Sequence, residues 1–253
     1  MKSILLDVQH IHKTYAPKKK PLKKALKKIS FQIQEGEIFG LLGVNGAGKT
    51  TLSGILSGLH PPTAGDILWK GKSIYKDLIR YRGMVGLCPQ KPNIDPGLTL
   101  EETLIFCARC YGKTKKEAEK QKDHLLELFD LKNYADADVK HLSGGYKQRF
   151  LLSRTLAHDP KFIILDEPTV GLDAHIRKAL WKIISTLKAE GATILLTTHY
   201  LEEAESLSDR VCFLDGGEIK ILDTPDNLNK HYKKSNLEDV FLHLMEKTGE
   251  EMQ

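Results

Sequence analysis

Apolar and polar positions alternate early in the chain. Ile29, Phe31 and Ile33 fall on one side of an extended segment and Ser30, Gln32 and Gln34 on the other, while Ile4 to Tyr15 shows a looser form of the same period. Two half-buried antiparallel strands are predicted. The pattern then changes to short continuous apolar runs, Ile38 to Leu42, Met84 to Leu87, Phe162 to Leu165 and Thr193 to Leu196, separated by helical patterns. Such runs suit strands of a parallel sheet covered on both faces. After the first run Leu52, Ile55, Leu56 and Leu59 recur at helical spacing, with Pro61-Pro62 as the expected stop. From Thr99 to Phe129 the period is helical: Thr99 with Glu102 and Thr114 with Glu117 match capping boxes, and Gly112 between them suits a C-cap. Near the end, Ser235 and Glu238 read as a third capping box, ahead of a Leu237, Val240, Phe241, Leu244 stripe that should dock on the body of the protein.

The chain has 253 residues, 41 % hydrophobic, enough for one sizeable core. Its formal charge of +5 is concentrated locally, in Lys18, Lys19, Lys20, Lys23, Lys24, Lys27 and Lys28. The block lacks interleaved aromatics for stacking on bases, so it reads as a solvated hairpin loop and no nucleic-acid partner is expected. Apolar runs fall well short of the ~20 residues a membrane span needs, and the N-terminus does not have the form of a signal peptide, so a cytoplasmic protein is expected. Four cysteines make no disulfide framework, and Cys107-Ala-Arg-Cys110 lacks a second ligand pair for zinc.

Gly43-Val44-Asn45-Gly46-Ala47-Gly48-Lys49-Thr50, followed by Thr51, fits GxxxxGK[ST] and sits between a buried strand and an amphipathic helix. The glycines let backbone N–H groups, including those around Asn45, Gly46, Ala47 and Gly48, face phosphate oxygens, and the helix start adds its positive end. Lys49 would meet the β and γ phosphates, and Thr50 would offer a hydroxyl to Mg²⁺. Phe162-Ile163-Ile164-Leu165-Asp166-Glu167 delivers two carboxylates at the end of a strand, where ligands of open α/β sheets bind. Because neighbouring strand residues point to opposite faces, Asp166 is expected to hold Mg²⁺ and Glu167 to polarise an attacking water.

Leu142-Ser143-Gly144-Gly145-Tyr146-Lys147-Gln148-Arg149, just upstream of that strand, resembles the signature of the ATP-binding cassette (ABC) ATPases. As a local structure it reads as a second anion site, with Ser143 as N-cap and the N–H groups of Gly144 and Gly145 exposed at a helix start. In the family, one subunit's signature closes on the γ-phosphate held by its partner's phosphate loop, so the resemblance implies ATP and Mg²⁺ in composite sites of a head-to-tail homodimer, or a heterodimer with a related ATPase. Tyr15 resembles the aromatic that stacks on adenine and Gln90 the glutamine that senses Mg²⁺ and the transmembrane partner. Asp173 resembles the inter-subunit aspartate, and His199 the switch histidine that holds Glu167 and the water. Judged alone, each has a plainer reading: a core aromatic, a loop polar residue, a helix cap and a strand-end histidine. Tyr146 and Ala174 depart from the commonest family residues without touching backbone cradle, metal ligand or base.

The resemblance implies an α/β protein with a P-loop NTPase (RecA-like) core, an antiparallel β subdomain and an inserted α-helical subdomain. It would be one ABC ATPase domain over residues 1–253: the β subdomain and phosphate loop in 1–90, the helical signature part in 91–145, the rest of the core in 146–230 and a helical tail in 231–253. Leu98-Thr99-Leu100-Glu101-Glu102, Thr198-His199-Tyr200-Leu201-Glu202-Glu203 and Asn236-Leu237-Glu238-Asp239-Val240 look like the drug, lipid or polysaccharide exporter branch. That implies an ATPase powering a separate transmembrane permease, peripheral on the cytoplasmic face of the inner (plasma) membrane. The alternative is a non-transport ABC ATPase of the translation or DNA-repair type.

Overall fold

The computed structural model describes residues 3–16, 21–91, 93–95 and 97–250, with side chains in the last helix described as far as Leu244. Lys18, Lys19 and Lys20 of the basic block lie outside the described residues. Strands β1 (Ile4–Tyr15) and β2 (Lys23–Gln34) pair antiparallel, with Val8 opposite Phe31 and Ile11 opposite Ile29. The other edge of β1 takes up β4 (Ala64–Trp69), followed by the two-residue β5 (Lys72–Ser73).

The second sheet has six strands in the order β10-β9-β3-β8-β7-β6. Strands β3 (Ile38–Leu42), β6 (Val85–Cys88), β7 (Phe162–Asp166), β8 (Thr193–Thr198) and β9 (Arg210–Asp215) run parallel, and β10 (Glu218–Asp223) returns antiparallel along one edge. Every residue of β3, β7 and β8 is buried, because their two faces meet different layers. Phe39, Leu41, Phe162, Ile164 and Leu195 face a cluster shared with the antiparallel sheet and with Leu52, Ile55 and Leu56 of helix α1 (Lys49–Leu56). The intervening Ile38, Ile163, Leu165, Ile194 and Leu196 join a second cluster on the opposite face. The β9–β10 turn at Gly216-Gly217 has both φ angles positive, at 52° and 80°, as a tight hairpin requires.

Helix α1 stops earlier than its apolar spacing predicts. Gly58 takes φ +74°, its N–H bonds the Ile55 carbonyl at 3.0 Å, and Leu59 N–H bonds the Gly54 carbonyl at 2.9 Å. This left-handed glycine cap ends the helix before Pro61-Pro62 and leaves Leu59 exposed. Helix α2 (Leu78–Arg82) precedes β6. The insert contains α3 (Leu100–Cys110) and α4 (Lys115–Leu128), each opened by the capping box the sequence predicts, with Gly112 at φ +90° between them. Leu104, Ala108, Leu125 and Phe129 pack with Phe150 and Leu151 of α5 (Gly144–Thr155), so the insert and the sheet share one cluster.

Helix α6 (Ala174–Ala189) follows β7, and α7 (Leu201–Leu207) lies between β8 and β9. The chain closes with α8 (Pro225–Tyr232) and α9 (Leu237–Glu250). Leu237 and Val240 are buried beside Phe213, whose ring lies 5.7 Å from that of Phe241. The expected Ser235/Glu238 capping box does not form. Instead Asn236 Oδ1 accepts from Asp239 N–H at 2.9 Å, while Ser235 Oγ donates to the Asp239 carboxylate at 3.1 Å. The cap moves one residue along because Asn236 is itself a good N-cap and takes the Asp239 N–H, while Ser235 turns its hydroxyl to the Asp239 carboxylate.

Candidate active site

The phosphate loop leaves β3 at Gly43 and turns into α1 at Gly48, which holds φ 116° at the N-cap position. A Cβ at Gly48 would lie 2.9 Å from the Ala25 carbonyl oxygen and 2.8 Å from Leu26, so only glycine lets β2 approach this closely. Asn45, Gly46, Gly48, Lys49, Thr50 and Thr51 line a cleft of about 400 Å³, together with Tyr15, Lys23, Ala25, Gln90 and Glu167. Tyr15 stands at its rim at the end of β1, half-exposed, with the Lys13 ammonium over its ring at 5.2 Å. Gly43 and Ala47 are buried beneath the loop, and the Ala47 carbonyl accepts from Gly217 N–H at 3.0 Å. Lys23 and Ala25 were not expected here. Their signal was available, because the antiparallel pairing of β1 and β2 puts Lys23 opposite Tyr15.

Lys49 Nζ is buried and has three oxygen partners: the Gly43 carbonyl at 2.7 Å, the Val44 carbonyl at 3.3 Å and Glu167 Oε1 at 3.2 Å. The other carboxylate oxygen of Glu167 accepts from Gln90 Nε2 at 2.9 Å and lies 3.5 Å from His199 Nδ1. Residues from three other segments therefore meet on the Glu167 carboxylate, which lines the cleft.

Strand alternation does not separate Asp166 from Glu167, as the sequence suggested. Glu167 lies one residue beyond β7 with φ +51°, a left-handed conformation that costs about 1–2 kcal/mol for a residue with a Cβ. Thr197 holds it there. In the β7–β8 register Thr197 is opposite Asp166, and its Oγ1 donates to Asp166 Oδ1 at 2.6 Å and accepts from Glu167 N–H at 3.0 Å. Thr197 escaped sequence reasoning: it ends an apolar run with a hydroxyl, and only the sheet pairing sets it opposite Asp166.

Burial pushes the Asp166 carboxyl above its ordinary range, opposed by hydrogen bonds from Thr197 and Thr50. Thr50 hydroxyl, Asp166 carboxylate and the Gln90 amide oxygen are hard oxygen donors of the kind Mg²⁺ takes. Among the described residues no group of three or more His, Cys, Asp and Glu side chains could hold a metal ion. Three protein oxygens beside a phosphate loop match a cation that is completed by phosphate and water.

Ser143, Gly144 and Gly145 do not reach this cleft in the same chain. Ser143 caps α5, its Oγ accepting from Tyr146 N–H at 3.5 Å. A Cβ at Gly145 would lie 2.9 Å from Ile176 Cγ2, so this glycine seats α5 on the start of α6. Asp173 sits at the α6 N-cap position without a side-chain cap bond, exposed. Ser143, Gly144, Asp173 and His199 are all exposed.

A parallel sheet with a glycine-rich phosphate loop, a strand-end carboxylate pair and a second glycine helix start defines a P-loop ATPase of the ATP-binding cassette class. The ABC transporter family pattern matches residues 26–170, more than half of the chain, which belongs to this family of ATP-binding, ATP-hydrolysing proteins. Nod factor export ATP-binding protein I of Rhizobium etli is 40 % identical over 212 residues, 84 % of this chain and 66 % of that protein. An ATP-binding subunit of an ABC transporter superposes with a TM-score of 0.84 at 31 % identity, covering 95 % of this chain and 99 % of that one. A dimeric ATP-binding cassette in a post-hydrolysis state, bound to ADP and Pi, superposes with a TM-score of 0.79 at 26 % identity, covering 87 % and 98 %. No described helix is long and apolar enough to cross a membrane.

Proposed function

We propose that this chain is the motor subunit of an exporter: two copies, or one copy and a related ATPase, close head to tail on ATP and drive a separate membrane-spanning permease. The observation that carries the reading is the convergence of Lys49, Gln90 and His199 on Glu167, with Ser143–Gly145 and Asp173 displaced from that cleft.

Tyr15 stacks on adenine, and the backbone around Asn45 to Thr51 cradles the phosphates. Lys49 exchanges Glu167 for the β and γ phosphates, and Thr50, Asp166 and Gln90 would hold Mg²⁺, which would neutralise charge on the phosphates. Once released from Lys49, Glu167 accepts a proton from the attacking water. His199 orients that carboxylate and meets the γ-phosphate. A second copy supplies Ser143, Gly144 and Gly145 to the γ-phosphate and Asp173 across the interface, so one copy alone turns over slowly.

The permease docks where the insert meets the core. There a cleft of about 240 Å³ is lined by Leu59, Arg82, Leu87, Cys107, Tyr111 and Arg154, among other residues. Phe106, Tyr111 and Leu59 are 60 %, 52 % and 54 % exposed, apolar side chains available for a partner to cover. Gln90 follows Leu87 of this cleft by three residues and donates to Glu167, which lets permease motion reach the water-activating group. The relatives' export of Nod factor supports an export direction. This reading places the chain on the cytoplasmic face of the membrane.

The test is co-purification from detergent-solubilised membranes, with ATPase rates of the isolated chain and of the complex measured side by side. A multi-spanning partner that stimulates hydrolysis is expected. Recovery with ribosomes or DNA and no membrane partner would move the chain to the non-transport class.

A further inference from the structure

Glu203 lies in the first turn of α7, 0 % exposed, and none of the chemistry above uses it. Its Oε1 accepts two hydrogen bonds of 2.8 Å, from Thr169 Oγ1 and from Trp181 Nε1. Thr169 is itself fully buried and lies between Glu167 and Asp173, while Trp181 lies two turns into the helix that Asp173 opens. One carboxylate oxygen therefore grips the Asp173 segment on both sides. On its own segment Glu203 follows His199 by four residues. A second tie runs parallel, with the Arg177 guanidinium of α6 4.6 Å from the Tyr200 ring at the start of α7.

Packing α7 against its neighbours does not require an anion. Burial penalises the charged carboxyl and pushes its pKa up, and an apolar side chain of similar volume would cost less. What the carboxylate adds is direction, because it orients two donors from one segment on an atom carried by another.

We propose that Glu203 is a positioning residue that locks the Asp173 loop to the His199 segment, so that the two groups facing a second copy of this chain move as one unit. The inference rests on the roles given above to Asp173 and His199. Loss of the lock leaves the nucleotide cradle intact and lets Asp173 wander relative to Glu167 and His199.

The test compares T169V, E203A and E203Q in the full chain, alone and with D173A, by steady-state ATPase assay across ATP concentrations. T169V and E203A should each lower kcat about tenfold while changing KM for ATP less than about twofold. E203Q, which keeps an Oε1 acceptor for both donors, should recover most of the rate. In the D173A background T169V should have no further effect, the non-additivity of residues acting as a unit. Thr169→Val is nearly isosteric, so it decides the matter if E203A fails to fold. The proposal is overturned if T169V turns over at the parent rate, or if it lowers kcat by the same factor with and without D173A. A D173A single variant with normal turnover refutes the Asp173 role itself, and a slow T169V beside it refutes the routing through that loop.

Discussion

Replacing Glu167 by Gln removes one charge from a buried pair. Lys49 Nζ and Glu167 Oε1 are 3.2 Å apart, with side chains only 5 % and 6 % exposed. At an effective dielectric of about 20 their attraction is roughly 5 kcal/mol before desolvation. Much of that is offset by taking both groups out of water, and Lys49 keeps the Gly43 and Val44 carbonyls. The amide also turns one NH₂ toward a set of donors, Lys49, Gln90 and His199, that the carboxylate satisfied. A net loss of about 1–3 kcal/mol follows, which for a chain of this size lowers Tm by roughly 2–10 °C. ATP reverses the balance. In the proposed mechanism Lys49 leaves Glu167 to meet the phosphates, and the carboxylate repels them. Neither cost survives in the variant, so E167Q should bind ATP about 5- to 150-fold more tightly than the parent, the converse of the same 1–3 kcal/mol. Calorimetric titration with ATP in EDTA, which prevents turnover, reads the affinity, and thermal melts with and without ATP read both arms. An E167Q protein with unchanged Tm and unchanged or weaker ATP affinity would show that the Lys49–Glu167 contact carries no energy and refute the exchange step.

Three further outcomes are expected. Because burial raises the folded pKa of Asp166, its ionised form costs stability above the ordinary carboxylate range, and that cost vanishes at pH values below the unfolded pKa. D166N should therefore melt at or above the parent at pH 8, with the gap closing in acid, while losing Mg²⁺-dependent turnover; a much lower Tm at pH 8 contradicts this. Cys88 and Cys212, fully buried thiols pushed up to about 12, should resist alkylation at pH 8 in the folded protein, while exposed Cys110 reacts first, as peptide mass spectrometry will read. Gly58→Ala forces a Cβ into φ +74° and to 3.0 Å from Leu78, so it should cost about 1 kcal/mol or more and lower Tm by at least roughly 2 °C; an unchanged Tm would refute the glycine stop of α1.

Most of what sequence periodicity could carry, it carried. The fully buried strands β3, β7 and β8 stand out as unbroken apolar runs because layers cover both their faces, and the two capping boxes of the insert are local hydrogen-bond patterns that need no tertiary context. Strands β4, β9 and β10 went unrecognised. Ala64-Gly65-Asp66 opens β4 without an apolar signal, and β10 is only partly buried at a sheet edge. The end of α1 was misread because Leu59 continues the helical spacing while Gly58 offers a lower-energy exit.

For the candidate site, chain-local motifs named the phosphate loop and the acidic pair, and the contact of Glu167 with Gln90, His199 and Lys49 is a fact of folding no spacing encodes. Thr197 was missed for the same reason, since its importance comes from lying opposite Asp166 in the sheet. The left-handed backbone of Glu167 was likewise invisible, because glutamate has no local preference for it.

The most direct test of the paired, head-to-tail reading is to mix two inactive variants, K49A with a dead phosphate loop and G144D with a charged, blocked signature. If each site takes its loop from one copy and its signature from the other, mixed dimers regain one intact site of two. An equimolar mixture should then recover about a quarter of the parent ATPase rate from two proteins that are inert alone. A mixture as inactive as its components, with ATP-dependent dimers present by light scattering, would contradict the composite site.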